Sequence, residues 1–329
     1  SSRCAGSGPR GCVAAPSRPR AVGEARRVVR CGDARAGPRS ALTGWGARGI
    51  PGLVDDADLA ELGAQRPLVL VTNDDGVLAP GIRALAEAAE ALGDVAVVGP
   101  DRNRSGVSHM ISLLRPLRAQ VVRPRWRAVD GSPADCVYLA VHQLLPRRPD
   151  LVLSGVNAGP NLSFDVHYSG TVGAAMEGTL LGVRSIAVSL TDTRKGSFDW
   201  AADFAVRVGR KVLDDGLPPH TALNVNVPGG RPDAWQLTFL GHRLFKHSVQ
   251  RRDDPRGAPY YWIGGTPDAP HDLPGSDCNA VAEGTISMTP LRTDLTAHRV
   301  ETFDAWAFDG SRRAPNLAPP GDLGAVPVR

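Results

Sequence analysis

The chain has 329 residues, 42% hydrophobic and 22% charged, the make-up of a globular domain able to bury a sizeable core rather than of a low-complexity or fibrous chain. No run of roughly eighteen apolar residues occurs, which speaks against a membrane-spanning helix. The formal net charge is +4, but residues 1–50 hold ten arginines against only Glu24 and Asp33, so the remainder is net acidic and offers no support for a nucleic-acid-binding body.

Taken in chain order, residues 1–66 form an Arg-rich leader, with no sustained periodicity over the first fifty, and disorder is expected there. Such a composition fits a transit peptide, a basic arm or a leader without function. Cys4, Cys12 and Cys31 fall in it, leaving Cys136 and Cys278 for the body. Two distant thiols build no disulfide framework and no metal motif, so a reducing, cytoplasmic location is expected.

The body, residues 67–312, opens with alternating strands and helices. Apolar runs over 67–73, 94–100, 149–155 and 183–190 are predicted strands. Between them, 80–93, 133–146 and 169–182 have helical spacing; in the first, Ile82, Leu85, Ala89 and Leu92 share a face, Pro80 suits the first turn and Gly93 the stop. Fully apolar strands separated by helices predict an α/β fold, a mostly parallel sheet with helices on both faces, over a core of about 67–215. From about 216 to 312 the texture becomes strand-rich, with runs at 222–228, 236–244, 258–265 and 285–291, and 313–329 is read as a disordered tail.

Ligands gather at the carboxyl ends of strands in such a sheet. Three polar, glycine-containing loops fall there: VTNDDG with Asp74 and Asp75, DRNRSGVS (101–108) with Asn103 and Ser105, and GVNAGPN (155–161) with Asn157 and Asn161. Adjacent carboxylates beside a buried strand repel and lose hydration, so they need a compensating cation. A hard divalent ion held by carboxylate, amide and hydroxyl oxygens would supply it, and no Cys or His cluster argues for zinc. Each loop alone would also serve as an ordinary turn or cap. The start of the third helix, Ser169, Gly170 and Thr171, offers free amides, two hydroxyls and a positive dipole end suited to phosphate, or a plain N-cap. Cation and phosphate cradle together predict metal-assisted hydrolysis of a phosphate ester.

The blocks VTNDDGVLAPGIRALAEA, VVGPDRNRSGVSHMISL, VDGSPADCVYLAV, PDLVLSGVNAGPNLSFDVHYSGTVGAAMEG, LNVNVP, DPRGAPYYWIGG and ISMTPLRTDLTAH, in order from about residue 67 to 298, resemble the SurE family of metal-dependent nucleoside monophosphate phosphatases. The resemblance implies a Rossmann-like core with a C-terminal extension used in dimer or tetramer assembly. It also implies hydrolysis of nucleoside 5'- and 3'-monophosphates, with action on short polyphosphate, and one divalent cation per subunit, Mg2+ or Mn2+. By motif position the metal ligands fall on Asp74, Asp75, Ser105 and Asn157, with Asp74 or Asp75 orienting the attacking water. Asn103, Asn161, Ser169, Gly170 and Thr171 fall to the phosphate. No membrane or stable nucleic-acid partner is expected.

His109 and His167 lie in the right loops for a leaving-group acid, but a lone loop histidine is more often solvent-facing, and the role stays unassigned. Ser163, Phe164 and the His109–Met110 pair depart from the family's usual residues and bear on substrate preference. Tyr168, Tyr260, Tyr261 and Trp262 are candidates to stack on a base or to fill the core. The rivals are weaker: no GxGxxG follows the first strand, and the DxDx[TV] spacing of an aspartyl-phosphate enzyme is absent. A non-catalytic metal- or nucleotide-binding sensor is the alternative from another class.

Overall fold

The computed structural model describes residues 57–60, 62, 65–243, 248–264 and 272–296. The expectations for residues 1–56 and for the tail lie outside them. Residues 57–60 and 62 fall inside the expected leader and pack with the body. Helix α1 (Ala57–Ala60) and the turn after it bury Leu59 and Leu62 in the same cluster as Leu68, Leu70 and Val137.

Strand β1 (Leu68–Thr72) is buried throughout and shows why both faces of the sheet must be covered. Its side chains alternate, Val69 and Val71 packing with one cluster and Leu68 and Leu70 with the other. Helix α2 (Pro80–Ala89) follows with Ile82, Leu85 and Ala89 turned inward. It ends short of the expected residue 93, because Ala91 and Leu92 donate to the carbonyls three residues back and tighten the last turn. Next come β2 (Asp94–Pro100), the hairpin β3 (Ala119–Arg123) and β4 (Trp126–Val129), and α3 (Pro133–Leu139), continued by a wider π turn over Ala140–Leu144. A capping box formed by Ser132 and Asp135 starts α3. The second half holds β5 (Leu151–Ala158), α4 (Gly170–Leu180), β6 (Arg184–Leu190), α5 (Phe198–Asp215) and β7 (Thr221–Val227). The strand-rich remainder is β8 (Trp235–Leu237), β9 (Ser248–Asp253), β10 (Pro259–Gly264), the short helix α6 (Asp277–Ala282) and β11 (Ile286–Arg292).

Nine strands form one sheet in the order β3-β4-β2-β1-β5-β6-β7-β11-β8, parallel from β4 through β7 and antiparallel at β3 and between β7 and β11. The chain builds outward from β1 to β2 and β4, then returns to the other side of β1 for β5, β6 and β7. The strand order therefore reverses between β1 and β5, which opens a crevice at their carboxyl ends. Helices α2 and α5 pack on one face, α3 and α4 on the other. The β9–β10 hairpin is a separate two-stranded sheet, and β10 is exposed along its length.

Candidate metal and phosphate site

The crevice holds most of the residues picked out above. Asp74 and Asp75 follow directly on β1, in a turn closed by Asn73 Nδ2 donating to Gly76 O at 2.9 Å. Asp74 is buried and Asp75 partly so. Asp74 Oδ1 accepts from Thr171 Oγ1 at 2.5 Å, and its carbonyl accepts from Arg104 N at 2.7 Å. Asp75 reaches across the crevice: Oδ2 accepts from Ala158 N at 3.1 Å, and Oδ1 receives a longer bond from Asn103 Nδ2 at 3.4 Å. The pair thus ties the loops after β1, β2 and β5 and the start of α4 into one site.

Burial pushes the Asp74 carboxyl above its usual range; the Thr171 hydroxyl pulls it back, and the charge on Asp75 raises it further. Arg102 and Arg104, in the loop after β2, pair with Asp101. Among the described residues, the donors to the two carboxylates are the neutral Thr171 hydroxyl, Ala158 amide and Asn103 side chain, an arrangement that favours a cation between them.

Close approach is built into the backbone. A Cβ at Gly170 would lie 2.8 Å from Asp74 Cβ and 3.0 Å from Oδ2, so only glycine lets α4 start against that carboxylate. In β5, Gly155 has φ +139° and a Cβ there would meet Val188 O at 2.3 Å. The register with β6 shifts between Ser154 and Asn157, a bulge that breaks the strand's alternation just before Asn157. Asn157 Nδ2 donates to Gly159 O at 2.9 Å, leaving its Oδ1 as the acceptor available to a ligand. Ser105 is exposed, with its amide donating to Asn103 Oδ1 at 2.8 Å.

At the start of α4, Ser169 caps the helix by accepting from Val172 N at 3.0 Å and keeps its own hydroxyl proton to donate. Capping and anion binding are compatible here. Thr171 is fully buried with its hydroxyl on Asp74. Asn161 lies beneath the rim. Its Nδ2 donates to Ser189 Oγ at 2.8 Å, its N–H donates to Asn226 Oδ1, and its carbonyl accepts from Asn224 and Asn226. These bonds make it an anchor of the 155–161 loop. Asn224 and Asn226 escaped the sequence reading, although two asparagines at alternate positions of an otherwise apolar strand are a signal of a buried polar network.

The donor set, carboxylate, hydroxyl and amide oxygens, is of the hard-cation type; among the described residues no group of three or more His, Cys, Asp or Glu side chains is placed to hold a metal ion. His109 pairs through Nε2 with Glu177 Oε2 at 2.6 Å, and His167 lies parallel to the Phe164 ring at 6.5 Å. Ser163 Oγ donates to Gly241 O and its N–H to Asp277, tying the 163–167 turn to the C-terminal segment. Tyr168, Tyr261 and Trp262 are exposed, so they do not fill the core.

Residues 69–247 match the family described as "Survival protein SurE". The chain is 50% identical over 249 residues to the 5'-nucleotidase SurE of Myxococcus xanthus, covering 74% of this chain and 95% of that protein. It is 50% identical over 249 residues to the protein of the same name from Geobacter metallireducens, with 73% and 97% covered. The crystal structure of the SurE protein from Aquifex aeolicus superposes with a TM-score of 0.64 at 45% identity, covering 70% of this chain and 95% of that one.

Proposed function

The chain belongs to the survival protein SurE family, and from that premise we propose that it is a phosphoric monoester hydrolase of the 5'-nucleotidase type, releasing phosphate from nucleoside 5'-monophosphates. The observation that carries the reading is the Thr171–Asp74 contact, which joins a carboxylate pair to an anion-binding helix start. The substrate range extends in the proposal to 3'-monophosphates and short polyphosphate.

One divalent cation, Mg2+ or Mn2+, is held by Asp74, Asp75, Ser105 and Asn157. When bound, it supplies charge neutralisation for the phosphoryl oxygens and acidifies water. The protein's own groups do the positioning. Ser169 presents its hydroxyl, and Gly170 and Thr171 their first-turn amides, to the non-bridging oxygens, while the Thr171 hydroxyl holds Asp74; Asn103 adds a donor from the loop after β2. Asn161 serves the cradle through the loop it anchors. Asp74 and Asp75 accept hydrogen bonds from water and orient it for in-line attack. The enzyme works in the cytoplasm, where Cys136 and Cys278, both free and buried, stay reduced. It assembles as a homodimer or homotetramer through the β9–β10 hairpin.

Phosphate release is measured from 5'- and 3'-monophosphates and short polyphosphate with Mg2+, Mn2+ or chelator, for the full chain and for Asp74→Asn. The reading expects metal-dependent release that falls about a hundredfold or more in the variant. Metal binding without release from any of these would replace it by the sensor reading.

A further inference from the structure

Next to the phosphate cradle lies a second feature that the motifs do not explain: a cavity of about 750 Å³ that begins at Ser169 and runs along α4. Its walls are mostly apolar, from Met176 of α4, Phe239 and Leu240 after β8, and Leu291 of β11. Of the polar groups that line it, His109 among His167, Thr238, Thr289, Arg292 and Asp294, His109 is the one paired with Glu177, which is buried on α4.

The position of this pair along the helix decides what it does. The backbone of His109 is so close to α4 that a Cβ on Gly173 would lie 3.1 Å from its Cα. From there the ring reaches Glu177, a residue about 10 Å along the axis from Gly170 at the usual helical rise. The imidazole therefore runs away from the cradle. A proton donor to the leaving oxygen must come within about 3 Å of it, so the geometry favours contact with the body of the leaving group instead. With Nε2 donating to Glu177, Nδ1 is the ring nitrogen left to accept from a substrate N–H or O–H. A mostly apolar slot with a few oriented polar groups is how a small-molecule site combines affinity with selection.

On the phosphatase reading above, we propose that this cavity seats the nucleoside half of the substrate, and that His109, oriented by Glu177, selects leaving groups that offer an amino or hydroxyl donor. The apolar walls take the faces of the base and sugar.

The test compares kcat/KM of the full chain for AMP, IMP, ribose 5-phosphate and 4-nitrophenyl phosphate in His109→Ala, His109→Gln and Glu177→Gln. In His109→Ala the ratio of kcat/KM for AMP to that for 4-nitrophenyl phosphate is expected to fall about tenfold or more, chiefly through KM, the size expected for one lost substrate hydrogen bond. His109→Gln, which keeps an acceptor, should recover part of it, and Glu177→Gln should show a smaller loss. An equal fall for every ester, or no change in the ratio, would overturn the proposal. Titration of the full chain with uncharged adenosine separates this from the parent reading: adenosine bound by wild type and weakened at least about tenfold in His109→Ala supports the pocket even if no phosphate is released. Adenosine binding that ignores the substitution refutes the pocket even if the phosphatase is real.

Discussion

Taking the charge from Asp74 separates two properties of that side chain. As a buried carboxylate held by a hydroxyl and facing Asp75, it is unfavourable to the metal-free fold. Asn keeps its shape and its bond from Thr171, so in chelator Asp74→Asn should be more stable than wild type by on the order of 1 kcal/mol in thermal melts, while losing phosphate release. A variant less stable than wild type would mean that the carboxylate has compensation beyond Thr171. Gly170→Ala attacks the same contact from the other side. Its new Cβ pushes on Asp74 and Pro133, so kcat/KM is expected to fall about tenfold or more, with a stability loss of about 1–3 kcal/mol from crowding a buried contact. Unchanged activity would show that Asp74 tolerates displacement. Asp74 and Asp75 were legible in the sequence because two charges at the end of an apolar strand demand a reason. The Thr171 partner of Asp74 was legible only as a helix start, since nothing local says that a hydroxyl 97 residues away faces that carboxylate.

Among the elements, the α1 contact gives a measurable pH dependence. Arg127 is almost wholly buried on β4 and is held by Asp58, with Nη2 to Oδ1 at 2.5 Å. The Arg127 hydrogen bond, chiefly, keeps the Asp58 carboxyl below its usual range. A depressed carboxyl stabilises the fold above its unfolded value and loses that contribution as pH falls through its folded value. Asp58→Asn should therefore cost about 1–3 kcal/mol at neutral pH in denaturant unfolding, with the gap from wild type closing below about pH 4. A gap that persists unchanged at lower pH would assign the loss to packing. The apolar strands and their helices were legible because buried parallel strands are continuous apolar runs. Strands β3 and β9 were not, since they are edge or surface strands with exposed, arginine-rich side chains; β4 is only four residues long, with the buried Arg127 interrupting its apolar pattern. Helix α5 had a readable signal, Ser197 at its cap and Ala201, Ala205, Gly209 and Val212 along the buried stripe, within a sequence of near-neutral mean hydropathy.

At the scale of the molecule, a ligand that binds only the folded chain raises its stability by mass action. Mn2+ or Mg2+ at about a hundred times its dissociation constant should add about 2.7 kcal/mol, seen as a rise in Tm that Asp74→Asn abolishes. An equal rise in the variant would place the cation elsewhere. The β9–β10 hairpin exposes Tyr261, Trp262, Ile263 and Val249, and a two-stranded ribbon of that kind is marginal alone in water. Deleting residues 248–264 should lower the mass measured by light scattering to that of a smaller assembly; an unchanged mass would move the interface to another face. The crevice itself has a consequence in time. Its ties join residues separated by 97 and 83 positions, Asp74 with Thr171 and Asp75 with Ala158, and contacts of such long range close late in folding. During synthesis or refolding, individual helices form before any of these partners meet, so the chain passes through a stage that is largely helical yet chemically silent. Hydrolysis should then reappear after the far-ultraviolet signal, making turnover a stricter clock of completed folding than helix content.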